Sequence, residues 1–134
     1  MLGNKIFTEQ GKVTSRRILP YEGPGMRAEL TYEAEATLIG IPAVQLGTYW
    51  TEVQQGGFVY GEGRGIITTH DGAIAEWIGS GRGRPKEGGG AKFRGVLYLQ
   101  SSAAALARIN SLTVILEHDS DHDGNIETIG YEWI

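Results

Sequence analysis

Cysteine is absent from the 134 residues. Disulfide staples, thiolate nucleophiles and Cys-ligated metal sites are thereby excluded. No apolar run reaches the roughly 20 residues that a membrane helix needs, and the N-terminal stretch lacks an apolar signal core. The expectation is a cytoplasmic protein with no membrane partner. Charge of one sign is scarce as well: 12 Lys and Arg stand against 16 Asp and Glu, for a net charge of −4. That balance argues against a general polyanion binder, so nucleic acid is not expected as a partner. Catalytic signatures are also missing. There is no G-x-S-x-G, no H-E-x-x-H and no Cys/His pair, and no cofactor is expected.

Glycine, by contrast, is abundant at 21 residues, about twice its usual share. It has no Gly-X-Y period, which excludes collagen. The densest glycine lies between Phe58 and Gly83, in two arms joined by Asp71-Gly72. Asp-Gly between alternating segments is a strong hairpin signal, because a type I′ turn needs positive φ at both central residues. On each arm glycine falls at every second position: Gly61, Gly63 and Gly65, then Gly79, Gly81 and Gly83. Spacing of two is strand spacing, so each set shares one face. Glycine inside strands marks bending or close approach, and the hairpin reads as a curved wall.

The rest of the chain follows the same logic. Residues 1–11 have no clear period and read as a loose arm or a short edge strand. Lys12 to Leu19 reads as a strand, and Pro20 with Gly23-Pro24-Gly25 as a turn. Met26 to Leu38 alternates cleanly, with Ala28, Leu30, Tyr32, Ala34 and Ala36 against Glu29, Thr31, Glu33 and Glu35. A strand sorts those sets onto opposite faces, whereas a helix would scatter them. Gly40 and Pro42 break that strand, and Val44 to Gln55 forms the next. Gly56-Gly57 supplies a second two-residue turn. Phe93 to Gln100, Leu112 to Glu117 and Ile126 to Trp133 are further strands. Residues 102–110 form the one helical piece, about two turns, capped by Ser101 or Ser102 and carrying Leu106 and Ile109 at i, i+3. So short a helix must pack across something, such as an open barrel end. About eight strands with short links close most readily on themselves. The expected fold is all-β: an eight-stranded antiparallel up-and-down barrel in one domain, residues 1–134, with a two-sheet sandwich as the alternative.

Two-residue turns at Gly56-Gly57 and Asp71-Gly72 set Gln55 opposite Phe58 and His70 opposite Ala73. The register then gathers Tyr49, Thr51, Val53, Tyr60, Glu62, Arg64, Ile66, Ala75, Trp77, Gly79 and Gly81 on one side, which has the more aromatic surface. A slip of one residue would exchange faces within a strand. With that side inward, Glu62 and Arg64 project into the barrel beside Tyr49, Tyr60 and Trp77. Buried charges need partners. The pair is either a structural ion pair or the polar base of an aromatic-lined ligand pocket.

Other motifs have plainer readings. Asp119, Asp121 and Asp123, with Gly124 following, match positions 1, 3, 5 and 6 of a calcium loop, but position 12 is Gly130 and the flanks read as strands. A polar hairpin turn explains them better, leaving these aspartates as weak metal candidates. His118 and His122 flank the same turn and could join a transition-metal site. Gly81-Arg82-Gly83-Arg84-Pro85-Lys86 resembles an AT-hook, a minor-groove binder, although a strand exit into a loop explains it equally.

Gly47-Thr-Tyr-Trp50, the run from Gly61 to Arg84, Phe93-Arg-Gly95, Leu106-Ala-Arg-Ile-Asn-Ser-Leu112 and the terminal Asp121-x-Asp123-Gly-Asn125 … Tyr131-Glu-Trp133 resemble a family of small uncharacterised microbial proteins. The resemblance covers most of the chain from Leu46 onward. It implies a barrel similar in shape to the calycin and allene-oxide-cyclase type, and implies no activity. Three functions remain open. The first is a binding barrel for a small, mostly apolar ligand held by Tyr49, Tyr60, Glu62, Arg64 and Trp77. The second is a cyclase or isomerase using Glu62 as the catalytic acid or base. The third is a structural or oligomerisation module with a filled barrel, and a homo-oligomer is compatible with each.

Overall fold

The computed structural model describes residues 1–20, 23 and 25–134. Alternation of apolar and polar residues produces eight strands: β1 (Leu2–Leu19), β2 (Arg27–Leu38), β3 (Ile41–Val53), β4 (Val59–Thr69), β5 (Ile74–Pro85), β6 (Ala91–Gln100), β7 (Val114–Ser120) and β8 (Asn125–Trp133). Each pairs antiparallel with the next, and β8 returns to pair with β1, so the sheet is a closed barrel in simple up-and-down order. Closure removes the edges that an open sheet would leave unpaired. The expected barrel is therefore the observed one, and the sandwich is not.

The expected alternation of β2 holds from Tyr32 onward, whereas Arg27 to Thr31 are all half-buried and Met26 is exposed. Tyr32, Ala34, Ala36 and Leu38 are buried, while Glu33, Glu35 and Thr37 face water. Residues 1–11, expected as an arm or a short edge, are instead most of the long β1. Their period is broken by irregular register against β8 between Leu2 and Lys5 and between Lys5 and Phe7. It is broken again by a buried glutamate, Glu9, at an inward position. Pro42 lies inside β3 rather than ending a strand. The turn expected at Gly23-Pro24-Gly25 lies partly outside the described residues.

Both glycine hairpins have three-residue loops, not two. Gln54 N–H bonds the Phe58 carbonyl at 2.7 Å, leaving Gln55, Gly56 and Gly57 as the loop. Thr69 N–H bonds the Ala73 carbonyl at 2.8 Å, leaving His70, Asp71 and Gly72. The last loop residue is left-handed in each case, with φ of 83° at Gly57 and 94° at Gly72. At Gly72 that is the common three-residue hairpin, a turn closed by a glycine bulge, while the first loop has a second left-handed glycine, Gly56 at 92°. Each odd loop shifts the register by one and inverts the faces of the strand that follows. Because there are two such loops, β4 is inverted relative to expectation and β5 is restored. Gly61, Gly63 and Gly65 consequently face inward, and Tyr60, Glu62, Arg64 and Ile66 face outward.

The inward glycines make room for rings. A Cβ on Gly47 would lie 2.7 Å from the Tyr32 ring, and one on Gly65 would collide with the Trp77 indole. A Cβ on Gly63 would press on both Tyr49 and Trp77. The wall is thin where the aromatic side chains are thick.

The helical piece is a 3-10 helix, Ala104–Ser111. With three residues per turn, Leu106 and Ile109 stack on one line. Both are fully buried and belong to the same apolar cluster as Leu38, Ala43, Ile67 and Ala75, so the helix stoppers one barrel end. Ser101 does not cap it. Its hydroxyl donates to the Ile74 carbonyl at 2.6 Å and accepts from Ala103 N–H at 3.1 Å, and the Asn110 amide brackets its backbone.

Adding a methyl to a filled interior typically costs about 1–3 kcal/mol. Gly47→Ala and Gly65→Ala are expected to lose that much in urea unfolding, and Gly61→Ala, whose nearest neighbour is 3.2 Å away, less. Equal stability of Gly65→Ala and the parent would show that Trp77 does not occupy the space over β4.

Candidate functional site

Glu9 is the most unusual residue in the interior: a carboxyl 3% exposed, on β1. An ionised carboxylate only accepts hydrogen bonds, so burying one requires donors. Three converge. Tyr32 Oη donates to Oε2 at 3.3 Å, Gln45 Nε2 donates to Oε1, and Thr128, its register partner on β8, stands beside the carboxyl and holds its pKa down as a donor does. Small residues permit this meeting: on the intervening β2, Ala36 lies opposite Glu9 and Ala34 opposite Gln45. Burial raises the Glu9 pKa, and the bonds from Thr128, Gln45 and Tyr32 oppose that rise.

The network continues at both ends. Trp77 Nε1–H donates to Gln45 Oε1. On the far side, His118 Nδ1 lies 2.7 Å from Thr128 Oγ1, the two being register partners on β7 and β8. A continuous chain, Trp77–Gln45–Glu9–Thr128–His118, thus crosses the barrel. It stops at His118, whose Nε2 is buried and has no hydrogen-bond partner. Burial lowers the His118 pKa to about 4, with Asp119 opposing, so the ring is neutral at neutral pH.

Aromatic rings surround the imidazole. Tyr49 stands edge-on at 5.5 Å between centroids, Phe93 at 6.0 Å and Tyr32 at 6.2 Å. Burial raises the Tyr49 pKa to about 12, with Arg16 opposing, and holds Tyr32 well above its ordinary value. Both phenols stay protonated. Beside these groups lies a cavity of about 70 Å³, lined by Tyr49, Trp77, Phe93, His118, Glu9 and the inner glycines Gly61, Gly63, Gly79 and Gly81, among others. That is a little over two waters' share of liquid, at ~30 Å³ each, and about half of a ~150 Å³ cavity that takes benzene. It fits a few heavy atoms.

Of the five candidate ligand residues, Tyr49 and Trp77 point into this interior. Tyr60, Glu62 and Arg64 do not, because the odd loop before β4 turned its faces. Glu62 and Arg64 are exposed, and Tyr60 Oη donates to Glu62 Oε2 at 2.9 Å on the outer wall, beside Trp50. Glu62 is therefore not the interior acid; Glu9 holds that position.

The metal candidates also disperse. Asp119 is in β7, paired with Lys92 and Glu127. Asp121 spends its carboxylate on the backbone N–H groups of Asp123 and Asn125, both at 2.9 Å, and on the Asn125 amide at 3.0 Å. These bonds lower its pKa, and the group is a turn, as composition suggested. Among the described residues no three His, Asp or Glu side chains gather as a metal site. His122 sits outside, 3.3 Å from Asp123, while His118 turns inward away from it. The Arg82-Gly83-Arg84-Pro85 run is the end of β5, laddered to β6, with Arg84 over the Phe58 ring at 4.7 Å.

Glu9, Gln45 and Thr128 carry no site expectation in the sequence, and Tyr32 carries only that of a buried strand position. His118 reads in the sequence as a residue flanking a turn and as a candidate transition-metal ligand. Extending the alternation Val114, Leu116 one step further would have placed His118 inside.

No protein-family model matches the chain, and no curated protein matches it. Solved structures do. A conserved protein of unknown function from Rhodopseudomonas palustris superposes with a TM-score of 0.82 at 13% identity, covering 99% of both chains. A protein of unknown function from Clostridium acetobutylicum gives 0.83 at 12% identity over 98% of both. An enzyme from Penicillium herquei gives 0.69 at 13% identity, covering 96% of this chain and 92% of its own. The likeness is one of fold.

An imidazole held at a pKa of about 4 takes up its proton in the unfolded chain near 6.5 but in the folded chain only near 4. The unfolded state binds more protons between those values, so stability falls as pH drops through that window. The loss from this group reaches at most about 3 kcal/mol, at 1.36 kcal/mol per unit. His118→Leu is expected to remove that part of the acid sensitivity, measured by urea midpoints at pH 7 and 4.5. Parallel pH profiles would contradict a neutral buried imidazole. Glu62→Gln and Arg64→Gln, both exposed, are expected to change stability by less than about 0.5 kcal/mol.

Proposed function

We propose that the barrel is a small-molecule-binding protein whose site is the interior cavity beside His118. The observation that carries this reading is the unpartnered, buried Nε2 of His118 at the end of an otherwise satisfied hydrogen-bond chain. A lone buried polar atom costs about 1–3 kcal/mol unless something meets it, and the adjoining cavity is where a ligand group would do so. The walls are apolar and aromatic with a few placed polar groups, the general form of ligand sites. The volume suits a very small molecule, or the polar tip of a larger, mostly apolar one. This reading extends the resemblance in shape to calycin and allene-oxide-cyclase barrels, which also enclose an interior. It replaces Glu62 and Arg64 by His118 as the polar anchor, with Glu9 orienting it, and keeps Tyr49 and Trp77 as walls. A cytoplasmic location accords with the absence of cysteine. The exposed apolar side chains Leu46, Ile66, Ile78 and Tyr98 on the outer wall favour self-association.

A second reading has one observation in its favour. Glu9 is a buried carboxyl with a raised pKa, joined to a neutral imidazole through one hydroxyl. Such a pair suits acid–base work in a cyclase or isomerase. Product analysis separates the two: a carrier releases its ligand unchanged, whereas an enzyme converts it.

Native mass spectrometry of freshly purified protein is expected to find a retained small mass, absent from His118→Leu. Small probes (methanol, ethanol) should also shift the His118 ring resonances. A barrel that carries no extra mass and whose His118 signals ignore every probe is a filled, structural barrel.

A further inference from the structure

Resting on the interior site just described, we infer that His118 offers a lone pair to the cavity, so that the site selects neutral ligands bearing an O–H or N–H donor. The polarity follows from the far end of the chain. Indole nitrogen has a hydrogen and no accepting lone pair, so Trp77 Nε1 can only donate. Gln45 must therefore turn its carbonyl oxygen toward Trp77 and its amide nitrogen toward Glu9, as observed. Tyr32 donates to the other carboxylate oxygen. Two donors already fixed on it are the surroundings of a carboxylate, and the third neighbour, Thr128, has to donate too. A hydroxyl has one hydrogen. With that hydrogen spent on Glu9, Thr128 Oγ1 can only accept from His118, at 2.7 Å. Nδ1 then carries the imidazole proton, and in a neutral ring Nε2 is left as an acceptor. Every link runs in one direction, and within this chain of bonds the group left wanting a proton is Nε2 of His118, a residue that lines the cavity.

A cation in the ligand is not required, and an acceptor-only ligand meets lone pair against lone pair. Tyr49 and Phe93 around the imidazole favour a flat, apolar body behind the donor. Glu9 and Thr128 are positioning residues in this scheme: they set which nitrogen of His118 is bare.

The test reads the tautomer directly. Histidine-selective ¹⁵N NMR of the full chain at pH 7 is expected to show His118 protonated at Nδ1 and bare at Nε2, the minority form of free imidazole side chains. Glu9→Gln keeps the shape and reverses the polarity. Its new amide must donate to Thr128, which then donates to Nδ1 and moves the proton to Nε2. Thr128→Val removes the link and should also restore the Nε2–H form. A parallel titration uses two flat five-membered rings, pyrrole (donor only) and oxazole (acceptor only). The parent should prefer pyrrole by at least tenfold, and Glu9→Gln should prefer oxazole. An Nε2–H tautomer in the parent, a tautomer indifferent to Glu9→Gln, or a parent preference for oxazole overturns the inference while leaving the cavity a binding site. If neither ring binds, the tautomer and its response to Glu9→Gln alone decide the inference, and the binding reading is what suffers.

Discussion

A carboxyl group inside a closed barrel is the constraint to which the rest of the interior answers. Isolated ionised groups are very costly away from water, and the cost is relieved only by donors held in place. Here the donors come from strands far apart in the sequence: Tyr32 on β2, Gln45 on β3 and Thr128 on β8 around Glu9 on β1. Trp77 on β5 and His118 on β7 extend the set. The chain of bonds ties the wall together across its middle, where the 3-10 helix and its apolar neighbours cannot reach. A partly satisfied network of this kind is worse than an apolar core, so the one orphan at its end is conspicuous.

Room for that network is created by subtraction. The interior of an eight-stranded barrel is just wide enough for side chains to fill. Tyr32, Tyr49 and Trp77 would overfill it if the opposite wall also carried side chains. Gly47, Gly63 and Gly65 supply the missing volume, each lying directly beneath one of those rings. The regular glycines thus have a packing reason, and what remains after the rings are seated is the small cavity near Gly79 and Gly81.

Most of the fold was legible because alternation is a local property. β2 and β6 announce their faces residue by residue, and Leu106 with Ile109 announces the buried line of the helix. The candidate site was legible only in part. Tyr49 and Trp77 were placed correctly, whereas Tyr60, Glu62 and Arg64 were not, and the whole difference is one residue of loop length. Gly56-Gly57 and Asp71-Gly72 each look like two-residue turns, yet each takes a third residue into the loop. The second shift cancelled the first, so β5 came out right although the turn before it did not. Glu9 was hidden for a different reason. A buried polar residue among bulges erases the very period by which strands are found, and local rules tend to fail where a site is built.

Read by itself, the chain determined its class: period-two patterning, glycine hairpins and one short helix commit it to a closed antiparallel barrel, because those signals act between near neighbours. Which side chains share the interior was decided only in three dimensions. Partners such as Glu9, Gln45 and His118 lie dozens of residues apart, and their meeting depends on the summed register of every intervening loop. A single odd turn anywhere along that path sends a charge to water or to the core.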